Sequence, residues 1–389
     1  MANFIEVPDR RKFSNSIKWN RYPQDVLPMW IADMDFPAPE PILAALHKAV
    51  VHGVLGYEFP GRALKETVVA RMDGLHGWKV KPDAVVVVPG IVSGYTVAAR
   101  MACTPRKGVL IQPPVYNEFL EVKNNIKTPQ LDAPLIKHVN NGILSYEINW
   151  DVFEKQAKRA GMFLLCNPHN PLGIIFPRRD LMRMAEICIR HNVLIVSDEI
   201  HSELLLDDNK FTPMARLSSE IAKHTITLVA PSKTFNVPGL FCGFAIIPDR
   251  ELRGRYEKVV EHMQLHVASL GLVAAQAAFS GECDAWLEKL RRHLTGNRDF
   301  LVDYVSQNLP GARTTIPSAT YLGWLDFSQC GISGSPFEFF MDKAKVAFSD
   351  GRIFGQGGEG HVRLNFGTSR TILKDGLGRV RDALACNAK

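Results

Sequence analysis

The sequence predicts an α/β protein, a mainly parallel sheet covered by helices and followed by a smaller α+β domain. Two observations carry this. From residue 84 onward, short β-branched or aliphatic runs alternate with helical stretches at the spacing of strand–helix–strand units. Four of the runs also end in residues that chemistry can use. Residues 84–88 lead into Pro89-Gly90, and 162–166 into Asn167-Pro168-His169-Asn170. Residues 193–196 lead into Ser197-Asp198, and 225–229 into Ala230-Pro231-Ser232-Lys233. In open α/β sheets ligands bind beyond the carboxyl ends of the strands, where helix N-termini and loop amides converge.

In chain order, residues 1–36 are rich in Arg, Lys, Asn, Trp and Pro and show little periodicity, so they read as an extended arm. Pro39 and Pro41 open a helix through about residue 51, and a second spans about 64–75. Then come strand 84–88, helix 91–103, strand 109–112, strand 162–166, helix 178–191 and strands 193–197, 225–230 and 241–247. Residues 250–270 and 272–307 read as two long helices, the latter on its density of Ala, Leu, Glu and Arg. The last part has strand 320–326, helix 336–346, strand 362–366 and helix 371–385. A glycine-rich loop at 351–360 reads as mobile. The division this suggests is an arm with part of the small domain at 1–45, a large domain at 46–275 and a small domain at 276–389. There is no internal repeat.

A chain of 389 residues buries enough surface for two closely packed domains. Its 46% hydrophobic and 22% charged content is ordinary for a globular enzyme. The net charge of +6 is scattered along the chain, so it argues neither for nor against nucleic acid. Seven cysteines, an odd number without a Cys-x-x-Cys pair, suit buried apolar residues in a reducing compartment better than disulfides or a metal site. No run approaches a membrane span, and the first residues lack the apolar core of a secretory signal. The expectation is a cytoplasmic enzyme without metal, membrane or nucleic-acid partner.

Each site candidate has a plainer alternative. Lys233 after a strand is a surface charge or an amine held in a cleft. Asp198 is a buried carboxylate at a sheet edge or a helix N-cap. His201 is a ligand-facing ring or a satisfied core group, and Asn170 before Pro171 is a donor or a turn initiator. Tyr116 stacks on a ligand or packs on a helix. Gly90, Ile91 and Val92 offer backbone amides at the start of a helix, an anion site by geometry and dipole. An amine, an acid, a side-chain amide and an anion site at neighbouring strand ends form the set that pyridoxal phosphate requires.

Five stretches carry a resemblance: residues 27–36 (Leu-Pro-Met-Trp-Ile-Ala-Asp-Met-Asp-Phe), 166–173 (Cys-Asn-Pro-His-Asn-Pro-Leu-Gly), 197–201 (Ser-Asp-Glu-Ile-His), 231–236 (Pro-Ser-Lys-Thr-Phe-Asn) and 362–366 (Val-Arg-Leu-Asn-Phe). In this order they resemble the class I/II aminotransferases of pyridoxal phosphate fold type I, specifically the cystathionine β-lyase and cysteine-S-conjugate β-lyase branch. The resemblance implies a seven-stranded sheet and a homodimer. It implies Lys233 as the amine that takes the cofactor aldehyde, Asp198 on the ring nitrogen, and Asn170 and His201 at the ring hydroxyl. It implies Tyr116 on the ring face, and Gly90, Ile91, Val92 and Ser232 at the phosphate, with Tyr57 reaching that phosphate from the partner subunit. Arg363 would grip the substrate carboxylate, with Trp30 and Asp33 at the entrance. Two departures from common patterns stand out. Phe241 occupies a position where many aminotransferases carry a phosphate-binding arginine, and Phe348-Ser349-Asp350 stands where the family often has Pro-Gly.

The implied reaction is α,β-elimination on L-cystathionine or another cysteine conjugate, releasing pyruvate, ammonia and a thiol. Lys233 would take the Cα proton. The rival on the same site is an amino-acid aminotransferase. A third reading, a pyridoxal phosphate-sensing regulator, requires an additional DNA-binding module, for which the span of the resemblance leaves no room.

Overall fold

The computed structural model describes residues 4–387. The four valines Val85–Val88 form a strand at one edge of a seven-stranded sheet. Next to it lie Gly243–Ile246, Thr225–Val229, Leu194–Asp198, Ala160–Cys166, Gly108–Ile111 and Gln130–Asp132, in that order. Gly243–Ile246 runs antiparallel to both neighbours, and the other pairings are parallel. Almost every residue of these strands is buried, as expected where helices cover both faces. The register sets Cys166 opposite Asp198 and Asp198 opposite Leu228. The chemically useful residues therefore emerge along one edge.

The covering helices show the expected periodicity. Arg178–Arg190 buries Leu181, Met184, Ala185, Ile187 and Cys188, one apolar stripe against the sheet. Ile91–Ala102 starts at Gly90, whose φ of +88° only glycine adopts at low cost. Helices Glu40–His52 and Arg62–His76 match their predicted spans closely.

A second sheet of six strands has the order Ser349–Asp350, His361–Asn365, Leu322–Asp326, Arg313–Thr314, Ile143–Glu147, Ile136–Asn140. Its last two strands are a hairpin inserted from the middle of the chain. The N-terminal arm forms a separate two-stranded sheet, in which Leu27–Pro28 pairs with Val346–Ala347.

Two expectations are corrected. The first long helix stops at His262, and Ser269–Phe279 is separate, because Gln264 takes a left-handed φ of +51° and breaks the ladder. The second is split at Gly281, φ +96°, so that Asp284–Asn308 begins anew. The glycine-rich loop is held by packing: Phe354 is fully buried and its carbonyl accepts from Val115 N–H at 2.9 Å. No helix among the described residues is long and apolar enough to cross a membrane.

Candidate active site

A cavity of about 650 Å³ opens at the carboxyl edge of the large sheet. It brings together Lys233, Asp198, His201, Asn170, Tyr116, Gly90, Ile91, Val92, Ser232, Trp30 and Arg363. Two predicted residues lie outside this chain's cavity lining. Asp33 is not in the lining, because its carboxylate is claimed by Arg10 at 2.8 Å. Tyr57 is wholly exposed on the segment between Gly53 and Gly61.

Lys233 sits on the short helix Pro231–Thr234 that follows the strand Thr225–Val229. Its Nζ donates to the Ala32 carbonyl at 2.6 Å, and Tyr321 Oη donates to the same oxygen at 2.9 Å. Burial lowers the lysine pKa to about 8. Arg363 pushes in the same direction, and both outweigh the pull of Asp33 and Asp198.

Asp198 ends its strand in the buried core of the sheet, and no helix follows for it to cap. Its Oδ1 accepts from Ile200 N–H at 3.1 Å. Burial raises the carboxyl to about 7, against the lowering effects of that bond and of Lys233. His201 is buried with Nδ1 unpartnered, and burial plus the charges of Lys233 and Arg363 depress it to about 3, so the ring is neutral. Its neutral ring packs edge-on against Tyr321.

Arg363 lies on the strand His361–Asn365. Nη1 donates to Asn170 Oδ1 at 2.9 Å, and Nη2 to Trp30 O and Ser349 Oγ, both at 3.1 Å. The guanidinium also stands 4.9 Å over the Phe354 ring. All its hydrogen-bond acceptors are neutral, its Nε has none, and burial lowers its pKa to about 10. A buried guanidinium without an acid is a site prepared for a carboxylate.

The residues 27–36 act through their backbone. Trp30 contributes its carbonyl to Arg363, while its indole donates to Lys18 O at 3.1 Å. Asn236, beside Lys233, donates to Met34 O and Phe36 O at 2.9 and 2.7 Å and accepts from Met34 N–H. Asn365 donates to Ile31 O and Asp33 O at 2.7 and 2.6 Å.

Sequence reasoning noted Ser349 only as a departure from the family pattern and missed Tyr321, Tyr95 and Glu118. Ser349 faces Arg363 only through strand register. Tyr321 precedes a strand and carried no motif. Tyr95 is one turn beyond the amides of Ile91 and Val92, and helical periodicity alone could have placed it on the sheet-facing side. Glu118 is two residues past Tyr116, in the first turn of the helix Asn117–Ile126.

Residues 34–380 match the family described as aminotransferase class I and II. The chain is 38% identical over 386 residues to cystathionine β-lyase PatB of Bacillus subtilis strain 168, covering 97% of this chain and 98% of PatB. The structure resembles cystalysin from Treponema denticola, which contains a pyridoxal 5'-phosphate cofactor, with 28% identity, a TM-score of 0.93 and 99% of each chain covered. It also resembles the C-S lyase of Staphylococcus hominis, solved with pyridoxal phosphate bound, at 30% identity and a TM-score of 0.91, covering 99% of this chain and 98% of that one. Similarity over nearly the full length and an almost superposable fold lead to one assignment: the chain belongs to the class I and II aminotransferase family, in its cystathionine β-lyase branch.

Proposed function

We propose that this chain is a pyridoxal phosphate-dependent carbon–sulfur β-lyase. It converts L-cystathionine or a related cysteine S-conjugate, with water, to pyruvate, ammonia and a thiol. The observation that carries the reading is one cavity holding a partly desolvated lysine, a buried acid and an arginine with no counter-charge.

The residues present fit the cofactor. His201 Nδ1 is a buried ring nitrogen without a partner, and Asp198 has no cation in salt-bridge contact among the described residues. Lys233 would hold the aldehyde, Asp198 the ring nitrogen, and Asn170 and His201 the ring oxygen. The Asn170 oxygen is already taken by Arg363, which leaves its NH₂ end to donate. The amides of Gly90, Ile91 and Val92 with the Ser232 hydroxyl would hold the phosphate, and Tyr116 would cover the ring face. When bound, pyridoxal phosphate supplies an electron sink for the pair left at Cα.

Arg363 binds the substrate α-carboxylate and fixes Cα beside Lys233. With a pKa near 8, Lys233 is available near neutral pH as the base that takes the Cα proton. Asp198 keeps its partner nitrogen protonated. Ser349 and the Trp30 carbonyl hold the Arg363 fork in one orientation, so the carboxylate arrives pre-aligned.

The protein acts as a homodimer in this reading. Val50, Val51, Val54, Leu55, Tyr57 and Phe59 are all exposed within ten residues, a strip that a second copy would cover. Tyr57 then reaches the neighbouring phosphate. Seven cysteines without a disulfide suit the cytoplasm.

The test combines a spectrum with an assay. The protein shows a visible cofactor band that borohydride removes and that Lys233→Ala lacks, and it forms pyruvate from L-cystathionine with no keto acid added. Turnover only with 2-oxoglutarate, and no pyruvate, would instead establish an aminotransferase. Absence of the band after incubation with the cofactor overturns both.

A further inference from the structure

Five acidic or basic side chains line the cavity: Lys233, Asp198, His201, Arg363 and Glu118. The reaction as proposed uses four of them. Glu118 is half-buried, and the hydrogen bond its carboxylate makes is from the side-chain amide of Asn117, at 2.9 Å. No lysine, arginine or histidine forms an ion pair with it among the described residues.

Glu118 lines the same cavity as Arg363 and Ile353. The helix Asn117–Ile126 packs against the turn Gly351–Phe354, which begins two residues after Ser349, the hydroxyl bonded to Arg363. Val115 N–H, just before this helix, bonds the Phe354 carbonyl. Ile353 of the same turn is the apolar lining residue of that side. The cavity therefore carries an unpaired cation, Arg363, and an unpaired anion, Glu118. A carboxylate satisfies the first. The substrate α-amine would be taken up by the cofactor aldehyde beside Lys233, so an ammonium that meets Glu118 would belong to the part of the substrate that leaves.

We propose that Glu118 is a specificity-determining residue that recognises an ammonium on the leaving group, so that the enzyme favours cysteine conjugates of aminothiols over those of neutral or acidic thiols. This deepens the lyase reading and rests on it. The competing role for Glu118, a carboxylate stabilising the first turn of its helix, predicts a change in stability and none in substrate choice.

The experiment compares kcat/KM for pyruvate release from S-aminoethyl-, S-propyl- and S-carboxymethyl-L-cysteine, using the cofactor-loaded enzyme. The first two differ by one ammonium in place of a methyl. The wild type prefers the aminoethyl over the propyl conjugate by about tenfold or more, and the preference shrinks as salt rises. Glu118→Gln brings this ratio close to one, Glu118→Asp retains most of it, and Glu118→Lys shifts the preference to the carboxymethyl conjugate. A wild-type ratio near one, or a ratio that survives Glu118→Gln, overturns the assignment of Glu118 while leaving the lyase standing. Pyruvate from none of the three conjugates, nor from cystathionine, overturns the lyase reading itself and the inference with it.

Discussion

The amine of Lys233 and the carbonyl of Ala32, 201 residues apart in the chain, are joined by a 2.6 Å hydrogen bond, and the Tyr321 hydroxyl shares that acceptor. The N-terminal arm thus reaches the centre of the site.

The ionisation of Lys233 follows from its surroundings. Burial, reinforced by Arg363, lowers its pKa from 10.5 to about 8. In the apoprotein, amine-directed labelling of Lys233 should rise with pH and reach half its plateau near pH 8, while surface lysines still lag. Between pH 8 and 10.5 the unfolded chain retains a proton that the folded amine has released, so this group's contribution to stability increases with pH across that window. Peptide mass spectrometry reads the labelling, and half-reaction above pH 10 would contradict the desolvation argument.

Arg363→Lys replaces a planar fork by a point charge. The bonds to Asn170, Trp30 O and Ser349 that orient the guanidinium cannot all be reproduced. A charge-assisted hydrogen bond is worth about 1.5–3 kcal/mol, so the expected loss in kcat/KM is roughly ten- to a hundredfold, mainly through KM. Steady-state kinetics decide it, and an unchanged KM removes Arg363 from carboxylate recognition.

Asn236→Ala leaves Met34 N–H and Phe36 O without their partner and Met34 O with Arg10 alone. Two part-buried groups unsatisfied at once should cost about 2–4 kcal/mol. A urea titration would show this as a lower midpoint with little change in slope. Asn236 also has a φ of +56°, so Asn236→Gly relieves the backbone yet recovers little of the loss. A loss below about 0.5 kcal/mol for Asn236→Ala would show the clamp to be idle.

Tyr57 is 105% exposed, so its truncation removes no contact within its own chain. Tyr57→Ala should leave the circular dichroism spectrum intact while weakening cofactor retention by about tenfold, the worth of one charge-assisted hydrogen bond. Spectral titration and sedimentation velocity check the two parts. Unaltered cofactor affinity in a dimeric variant would exclude Tyr57 from the partner's phosphate.

Much of the large sheet was legible because its strands are short, buried on both faces and punctuated. Val85–Val88 before Pro89-Gly90 and Thr225–Val229 before Pro231 can scarcely be read otherwise. The hairpin Ile136–Asn140 with Ile143–Glu147 was passed over although Asn141-Gly142, both at positive φ, is a hairpin-turn signal. Its pairing into the distant second sheet is a tertiary event with no local trace. Asp33 was placed at the entrance because it shares a motif with Trp30, but Arg10 takes its carboxylate, and ion-pair partners 23 residues apart leave no periodic mark. Ser349 stood out in the sequence only as a departure from the family pattern, and its contact with Arg363 came from strand register. Two long apolar-patterned stretches were read as continuous helices because periodicity survives a break of four to six residues better than hydrogen bonding does.

Asn236 from the lysine loop and Asn365 from the second sheet both hold the same stretch of arm. For anyone reshaping this protein, that double anchorage couples two traits usually tuned apart. Loosening residues 30–36 to admit a bulkier thiol would also unsettle the carbonyl against which the reactive amine rests. Libraries aimed at substrate scope will therefore fare better on the Ile353 side of the cleft, where the wall can be redrawn without disturbing the nucleophile.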